Sequence, residues 1–339
     1  MNKKLIFILG FLALLQVGIY FTMNEYGWKI NEMIGGRYVP DEEGIVDLTN
    51  RTLRKVPREI FRQKNIKTLQ ISNISLTEFP YEVLSMPNLE KLYIGRNDFE
   101  SIDFQNAVTK STSIKQIYCS NCNLYEIKNL DSLPNLEVID LGYNNLDEIP
   151  NLNFPNLKEI DLSNNNFRNI NSSLLPSGLE VLTLSGNPLE VVPYNILTFQ
   201  NLQELHLRNC MLSEWTTDTI INTALHELSL DNNLFTVFDI NLNDIFPNLI
   251  HFSITHCSLN QFYISHNNLQ YCHIGYNDST STRINMPNLQ TLGINFIQLK
   301  NQLNKIQSDS LQKIELDIYP NNNEAFLAEF YEKFPNVEL

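Results

Sequence analysis

One phrase, L-x-x-L-x-L-x-x-N-x-L, returns along this chain every 20–25 residues and occupies nearly all of it. Its cleanest copies are Leu136-Ile139-Leu141-Asn144-Leu146, Leu157-Ile160-Leu162-Asn165-Phe167 and Leu179-Leu182-Leu184-Asn187-Leu189. Position 1 falls at Ile66, Leu89, Ile114, Leu136, Leu157, Leu179, Leu202, Leu225, Leu249, Leu269, Leu289 and Leu311. A degenerate first copy around Val46, Leu48 and Leu53 carries Arg51 where the asparagine belongs, making thirteen copies in all. Positions 4 and 6 are alternate residues of one short strand, so both point into a shared core. Position 9 sits where the chain leaves the strand. A carboxamide there can satisfy backbone groups of neighbouring coils that would otherwise be buried unpaired, at about 1–3 kcal/mol each. These posts are Asn97, Asn144, Asn165, Asn187, Asn233 and Asn277, with Cys122, Cys210 and Cys257 in the same place.

That phrase and period resemble the leucine-rich-repeat family, in its bacterial-type exported or membrane-anchored form. The resemblance implies an α/β solenoid: a horseshoe of about 13 repeats of 20–25 residues with a parallel concave β-sheet. It also implies recognition of a protein or peptide on the concave face, and it admits cysteine at the asparagine post. Stacked coils form one elongated domain rather than the two or three that 339 residues otherwise suggest. The expected organisation is an N-terminal signal-anchor or signal peptide (1–23), a linker or cap (24–42), the repeats (43–320), and a C-terminal capping helix with an edge segment (321–339).

Charge narrows the partner. With 24 Lys+Arg against 38 Asp+Glu, net −14, nucleic acid is not expected, and a cationic or neutral ligand is. At the N-terminus, Lys3-Lys4 precedes an apolar run from Leu5 to Phe21, and no charge follows until Glu25. The run exceeds the roughly 7–15 residues of a signal-peptide core and approaches the ~20 of a membrane span. No small-residue cleavage site follows it, which favours an uncleaved anchor with the repeats outside the cytoplasm; the alternative is a cleaved, exported chain. The five cysteines fall on repeat posts, Cys119 and Cys272 at strand positions 6 and 4 and three at position 9, so Cys119-x-x-Cys122 reads as structural despite its redox spacing. Near the end, Phe326, Phe330 and Phe334 align on one face of a helix expected over 324–334, capped by Asn323 and lying as a lid over the last coil.

No G-x-S-x-G, phosphate-binding glycine loop or H-E-x-x-H occurs, so no catalytic residue and no cofactor is assigned. The surface left for function is the concave sheet, taken as positions 2, 3, 5, 7 and 8. In an in-register stack, equal positions form columns roughly 5 Å apart. Position 3 runs Glu159, Val181, Glu204, Glu227, His251, Tyr271; position 5 runs Tyr93, Tyr118, Asp140, Asp161, Thr183, His206, Ser229, Ser253, His273; position 8 includes Tyr143, His256, Tyr276 and Phe296. Five of six histidines (His206, His226, His251, His256, His273) therefore share one face, with His266 outside in the return path. Beside Glu204, Glu227, Tyr271 and Tyr276 they outline a ligand-contacting patch in coils eight to eleven, centred on Glu227, His251 and Tyr271. Tyr93, Arg96, Tyr118 and Tyr143, beside Asp140 and Asp161, outline a second. Histidine beside carboxylate, as His251 beside Glu227, can hold zinc, but His251 and His273 are offset by about 8 Å and no metal ligand is assigned. The expected function is non-catalytic protein recognition at the cell envelope or surface. The alternative is a structural envelope protein or adhesin that binds polysaccharide or itself; oligomeric state is left open.

Overall fold

A computed structural model describes residues 38–106, 110–215, 220–277, 281–296, 299–300, 306, 308, 310–316 and 324–339. Thirteen short strands, from Ile45–Asp47 to Lys313–Leu316, form one parallel sheet ordered as the coils follow in sequence. Pairing aligns equal repeat positions: Ile139 with Ile160, Leu205 with Leu228, Cys272 with Leu292. The strands are short because positions 3 to 5 lie in the ladder, joined by position 6 only in the last two, where Ile294 pairs with Leu316. Position 4 faces inward, and positions 1, 6 and 11 join it, so that Leu136, Ile139, Leu141 and Leu146 are all buried. Each such side chain contributes about 1.5–3 kcal/mol relative to exposure. A coil alone has nothing to bury them against; the next coil provides it.

The asparagine posts do what their position demands. Asn144 accepts from the amides of Cys122 (2.9 Å) and Leu124 (3.1 Å) in the preceding coil. Its NH₂ donates to the carbonyls of Cys119 (3.0 Å) and Leu141 (2.9 Å). Asn97, Asn165, Asn187, Asn233 and Asn277 repeat the pattern. The cysteine posts keep only part of it: the Cys210 and Cys257 thiols donate at 3.3–3.4 Å to the carbonyls of Leu184 and Leu230. A second ladder escaped the sequence reading. In Pro-Asn-Leu phrases that open several coils, Asn88, Asn135, Asn248 and Asn288 each donate to a carbonyl of the coil before, at 2.6–2.8 Å.

Opposite the long sheet, the return path changes along the stack. Coils three and four carry a two-stranded pair, Ser101–Asp103 with Glu126–Lys128. Coils six and seven use 3-10 turns, Ser172–Leu174 and Tyr194–Thr198. Coils nine to eleven carry a three-stranded sheet, Val237–Asp239, Gln261–Ser265 and Ser281–Asn285. The 20-residue copies starting at Leu249 and Leu269 leave no room for a helix, and extended chain takes its place. Between the two sheets, Phe238 lies 5.7 Å from Phe252 and 6.1 Å from Phe262, ring centre to ring centre.

The tail holds a helix followed by a segment at the sheet edge. The helix Glu324–Lys333 buries Phe326 and Phe330, with Phe334 buried just beyond its end and Phe326 4.8 Å from Phe296 of the preceding coil. It packs over the last coils, and the chain then resumes the repeat phrase at the sheet edge. The Glu338 amide donates to the Gln312 carbonyl at 2.8 Å, as position 2 of each coil does to its predecessor, and Lys313 bridges Glu338. The expected cap at Asn323 and the apolar run from Leu5 to Phe21 lie outside the described residues. Among the described residues no helix is long and apolar enough to cross a membrane.

Candidate binding surface

The outward face of the long sheet is built by positions 3 and 5, whose side chains alternate with the buried position 4. Register brings the expected columns together: Glu204, Glu227, His251 and Tyr271 on successive strands, and His206, Ser229, Ser253 and His273 beside them. Around His206 the contacts are dense. Its Nδ1 is 3.2 Å from Ser229 Oγ and 3.8 Å from Glu227 Oε1, and its Nε2 is 3.7 Å from Glu204 Oε2. Serine, histidine and carboxylate in a row can be the kernel of a hydrolase. Here Ser229 is only 1% exposed and its hydroxyl also accepts from an Arg208 guanidinium NH₂ at 3.3 Å, so it is occupied and screened from substrate. Ser229 is therefore a structural member of the set, while the Glu204 and Glu227 side chains stay partly exposed.

Arg208 itself is pinned. Its Nε sits 3.0 Å from Asp231 Oδ2. Asp231, nearly buried, also accepts from the Thr255 amide (2.8 Å), the Thr255 hydroxyl (2.9 Å) and the Ser253 hydroxyl. Fixing a guanidinium this way leaves part of it presented on a rigid base. One strand further, His251 and Tyr271 stack at 4.4 Å and 5° between ring planes. Arg208, Glu227, Asp231, His251, Tyr271 and His273 line a shallow cavity of about 350 Å³. His273 lies across Gly293, where a Cβ would fall 2.6 Å from its Nδ1, and reaches 3.6 Å from Glu315 Oε2. Lys313 first, and then His273, hold the Glu315 carboxyl below its ordinary range.

Position 8 differs from the expected strand position. In each of the first eleven coils it is a turn residue of left-handed backbone, at the rim beyond the strand. Asparagine or glycine fills it in seven, and Arg96, Tyr143, His256 and Tyr276 fill the rest. Left-handed backbone costs a bulky L-residue of order 1 kcal/mol, and asparagine tolerates it better. These four residues are nevertheless exposed, Tyr143 by 63% and Tyr276 by 46%. His256 and Tyr276 stack at 4.1 Å.

The early patch also forms in part. Tyr93 and Tyr118 stack at 4.5 Å, and the Tyr118 hydroxyl is pushed up to about 12 by burial, with Tyr93 and Glu159 adding to it. Burial first, and then neighbouring Asp161, raises the Asp140 carboxyl. Tyr143 stands at the rim in the fifth coil. His226, at position 2, is not in the late patch: it lines a separate cleft with Asn248, Gln270 and Gln290. His266, in the return path as expected, is buried; Nε2 donates to the Phe246 carbonyl at 2.8 Å and Nδ1 accepts from the Asn268 amide at 3.1 Å. No cluster of three His, Cys, Asp or Glu able to hold a metal occurs among the described residues.

The sequence reading missed Arg208, Asp231 and Thr255. A signal was present: position 7 runs Thr49, Ser72, Gly95, Ser120, Gly142, Ser163, Ser185 before Arg208 and Asp231 interrupt it. Adjacent opposite charges in a column of small residues mark a built contact.

Comparison with known proteins agrees on the architecture. The family description "Leucine Rich repeats (2 copies)" matches residues 134–176. A chain of the octameric complex of Latrophilin 3, Unc5D and FLRT2 (LRR) superposes with TM-score 0.59 at 17% identity, covering 84% of this chain and 93% of that one. The APL1 leucine-rich-repeat domain gives 0.57 at 17% identity, covering 81% and 74%. A leucine-rich-repeat protein of Leptospira interrogans gives 0.49 at 18%, covering 88% and 96%. No curated protein sequence matches the chain. At such identities the likeness is one of fold, and the fold is the leucine-rich-repeat solenoid.

Proposed function

We propose that this chain is a non-catalytic recognition module that binds a protein or peptide segment on the outward face of its long sheet, the face the family resemblance makes concave. The contact centres on coils eight to eleven, with Glu204, His206, Glu227, His251, Tyr271 and His273 on the sheet and His256 and Tyr276 at the rim. The observation that carries it is the rim itself: stacked, exposed His256 and Tyr276 occupy backbone that asparagine holds at lower cost elsewhere in the same chain. Backbone strain retained beneath exposed rings is a pointer to contact with something else. Carboxylates on the same face, within a chain of net charge −14, favour a partner with lysine or arginine at the contact. The early patch, Tyr93, Tyr118 and Tyr143, is a second contact area for the same ligand. The apolar N-terminal run is proposed to anchor the module to a membrane with the repeats on the non-cytoplasmic side.

The test is affinity for a partner identified by cross-linking in the native membrane. His251→Ser with Tyr271→Ser should weaken binding at least tenfold, and affinity should fall as salt is raised. Unchanged affinity in that double variant removes the late patch. Recovery of the protein in the soluble fraction, with an N-terminus near residue 25, removes the anchor.

A further inference from the structure

Position 6 is Leu or Ile in twelve of the thirteen coils, from Leu48 to Leu316; the fourth coil alone has Cys119. A cysteine fills that core site less well than the aliphatic side chains above and below it. The same coil is one of three with cysteine at position 9. Cys210 and Cys257, the other two, have Leu207 and Ile254 at position 6; all three position-9 thiols donate to a carbonyl of the coil before, Cys122 to Ile94 at 3.4 Å. In the fourth coil the two exceptions meet. Cys119 Sγ lies 2.7 Å from Cys122 Sγ, closer than ordinary sulfur contact and longer than the ~2.05 Å of a bond. Both residues are buried, at 1% and 0% exposure.

We propose that Cys119 and Cys122 are a cross-linking site, closed into an intracoil disulfide when the chain folds in the presence of a small-molecule disulfide. One cysteine thiolate attacks the external R–S–S–R, forming a mixed disulfide and releasing RS⁻. The second thiolate displaces the remaining RS⁻ and completes the Cys119–Cys122 bond. Two cysteine protons end on two R–SH; the cysteines are oxidised and the external disulfide is reduced. The exchange belongs to the folding chain, before the coil closes. Once it has closed, burial pushes the Cys119 thiol well up and removes the thiolate the reaction needs. The same burial then protects the bond from reductant. At this post the weak thiol rung becomes a covalent one, in the coil that also carries Tyr118.

The full chain, unfolded in urea with dithiothreitol, is refolded in mixed reduced and oxidised glutathione, then denatured and alkylated for peptide mass spectrometry. Three alkylated cysteines (Cys210, Cys257, Cys272) and one linked 119–122 peptide are expected. The link should survive treatment of the folded protein with reduced glutathione. Cys119→Leu, which restores the residue type of the other coils, should fold and show four alkylated cysteines. Five alkylated cysteines in the wild-type chain, or links to Cys210, Cys257 or Cys272 in place of 119–122, overturn the proposal.

Discussion

Coils five to seven and coils nine to eleven share one sheet and differ in almost everything else. In the earlier set all three posts are asparagine, the return path is irregular or 3-10, and the outward face carries Asp140 and Asp161. In the later set Cys257 interrupts the posts and a second sheet replaces the turns. There, phenylalanines fill the space between sheets while histidine and tyrosine stack outside. Yet the strands pair in the same register throughout. The contrast separates what builds the coil from what it displays. Positions 1, 4, 6 and 9 hold the stack, and the return path can be helical turn or strand provided it covers the core. Positions 3, 5 and 8 are free to specialise.

Phe238→Ala probes the later set hardest. Its ring is buried against Phe235, Phe252 and Phe262, so removal should cost about 4 kcal/mol in the urea midpoint free energy. A loss below ~1 kcal/mol would show that the second sheet packs loosely. In the earlier set, Asn165→Ala strands the Leu146 amide and the Leu141 and Leu162 carbonyls, for an expected loss of about 3 kcal/mol. The third test is acidity. Burial lowers the pKa of His266, so the unfolded chain binds its proton more readily than the folded one. Stability from this group is therefore complete above the unfolded value near 6.5 and is lost as pH falls below it, at no more than ~1.4 kcal/mol per pH unit. Chemical denaturation from pH 7.5 to 5 should show this slope, and His266→Gln should reduce it.

Two smaller effects sharpen the contrast between posts and display. Cys257→Ala should cost only about 1 kcal/mol, because its thiol contacts are longer than the carboxamide's. A cost equal to that of Asn165→Ala would mean that cysteine is a full substitute. Tyr143→Asn should stabilise by about 0.5–1 kcal/mol, since asparagine accepts the left-handed backbone there. Destabilisation instead would assign Tyr143 a packing role and weaken the case that the rim aromatics are kept for a ligand.

How much of this was legible in sequence depends on how local the cause is. Ile139 and Asn144 announce themselves because each repeats at a fixed spacing, and the spacing alone places them in the core and at the post. The register columns follow from stacking the coils, which puts Glu227, His251 and Tyr271 side by side, as the strand pairing does. Position 8 was misjudged as strand, since the left-handed turn at Tyr143 and His256 is a backbone property that a hydrophobic pattern does not encode. Arg208 and Asp231 were overlooked for a related reason: their pairing crosses coils and involves no repeated residue type. The tail helix is legible from Phe326, Phe330 and Phe334 at spacings of four, whereas the pairing of Glu338 with the last strand is a long-range contact that amphipathicity does not encode.

In-register stacking is tested most directly by paired cysteines on the outward face. Glu204 and Glu227 are register partners on adjacent strands, a spacing of roughly 5 Å that a disulfide can span. Glu204 and His251 are two strands apart, at roughly 10 Å, which it cannot. Glu204→Cys with Glu227→Cys should cross-link within the monomer under mild oxidation, while Glu204→Cys with His251→Cys should stay reduced. Equal cross-linking of both pairs, or failure of the first, would contradict the stacked columns on which the binding surface is built.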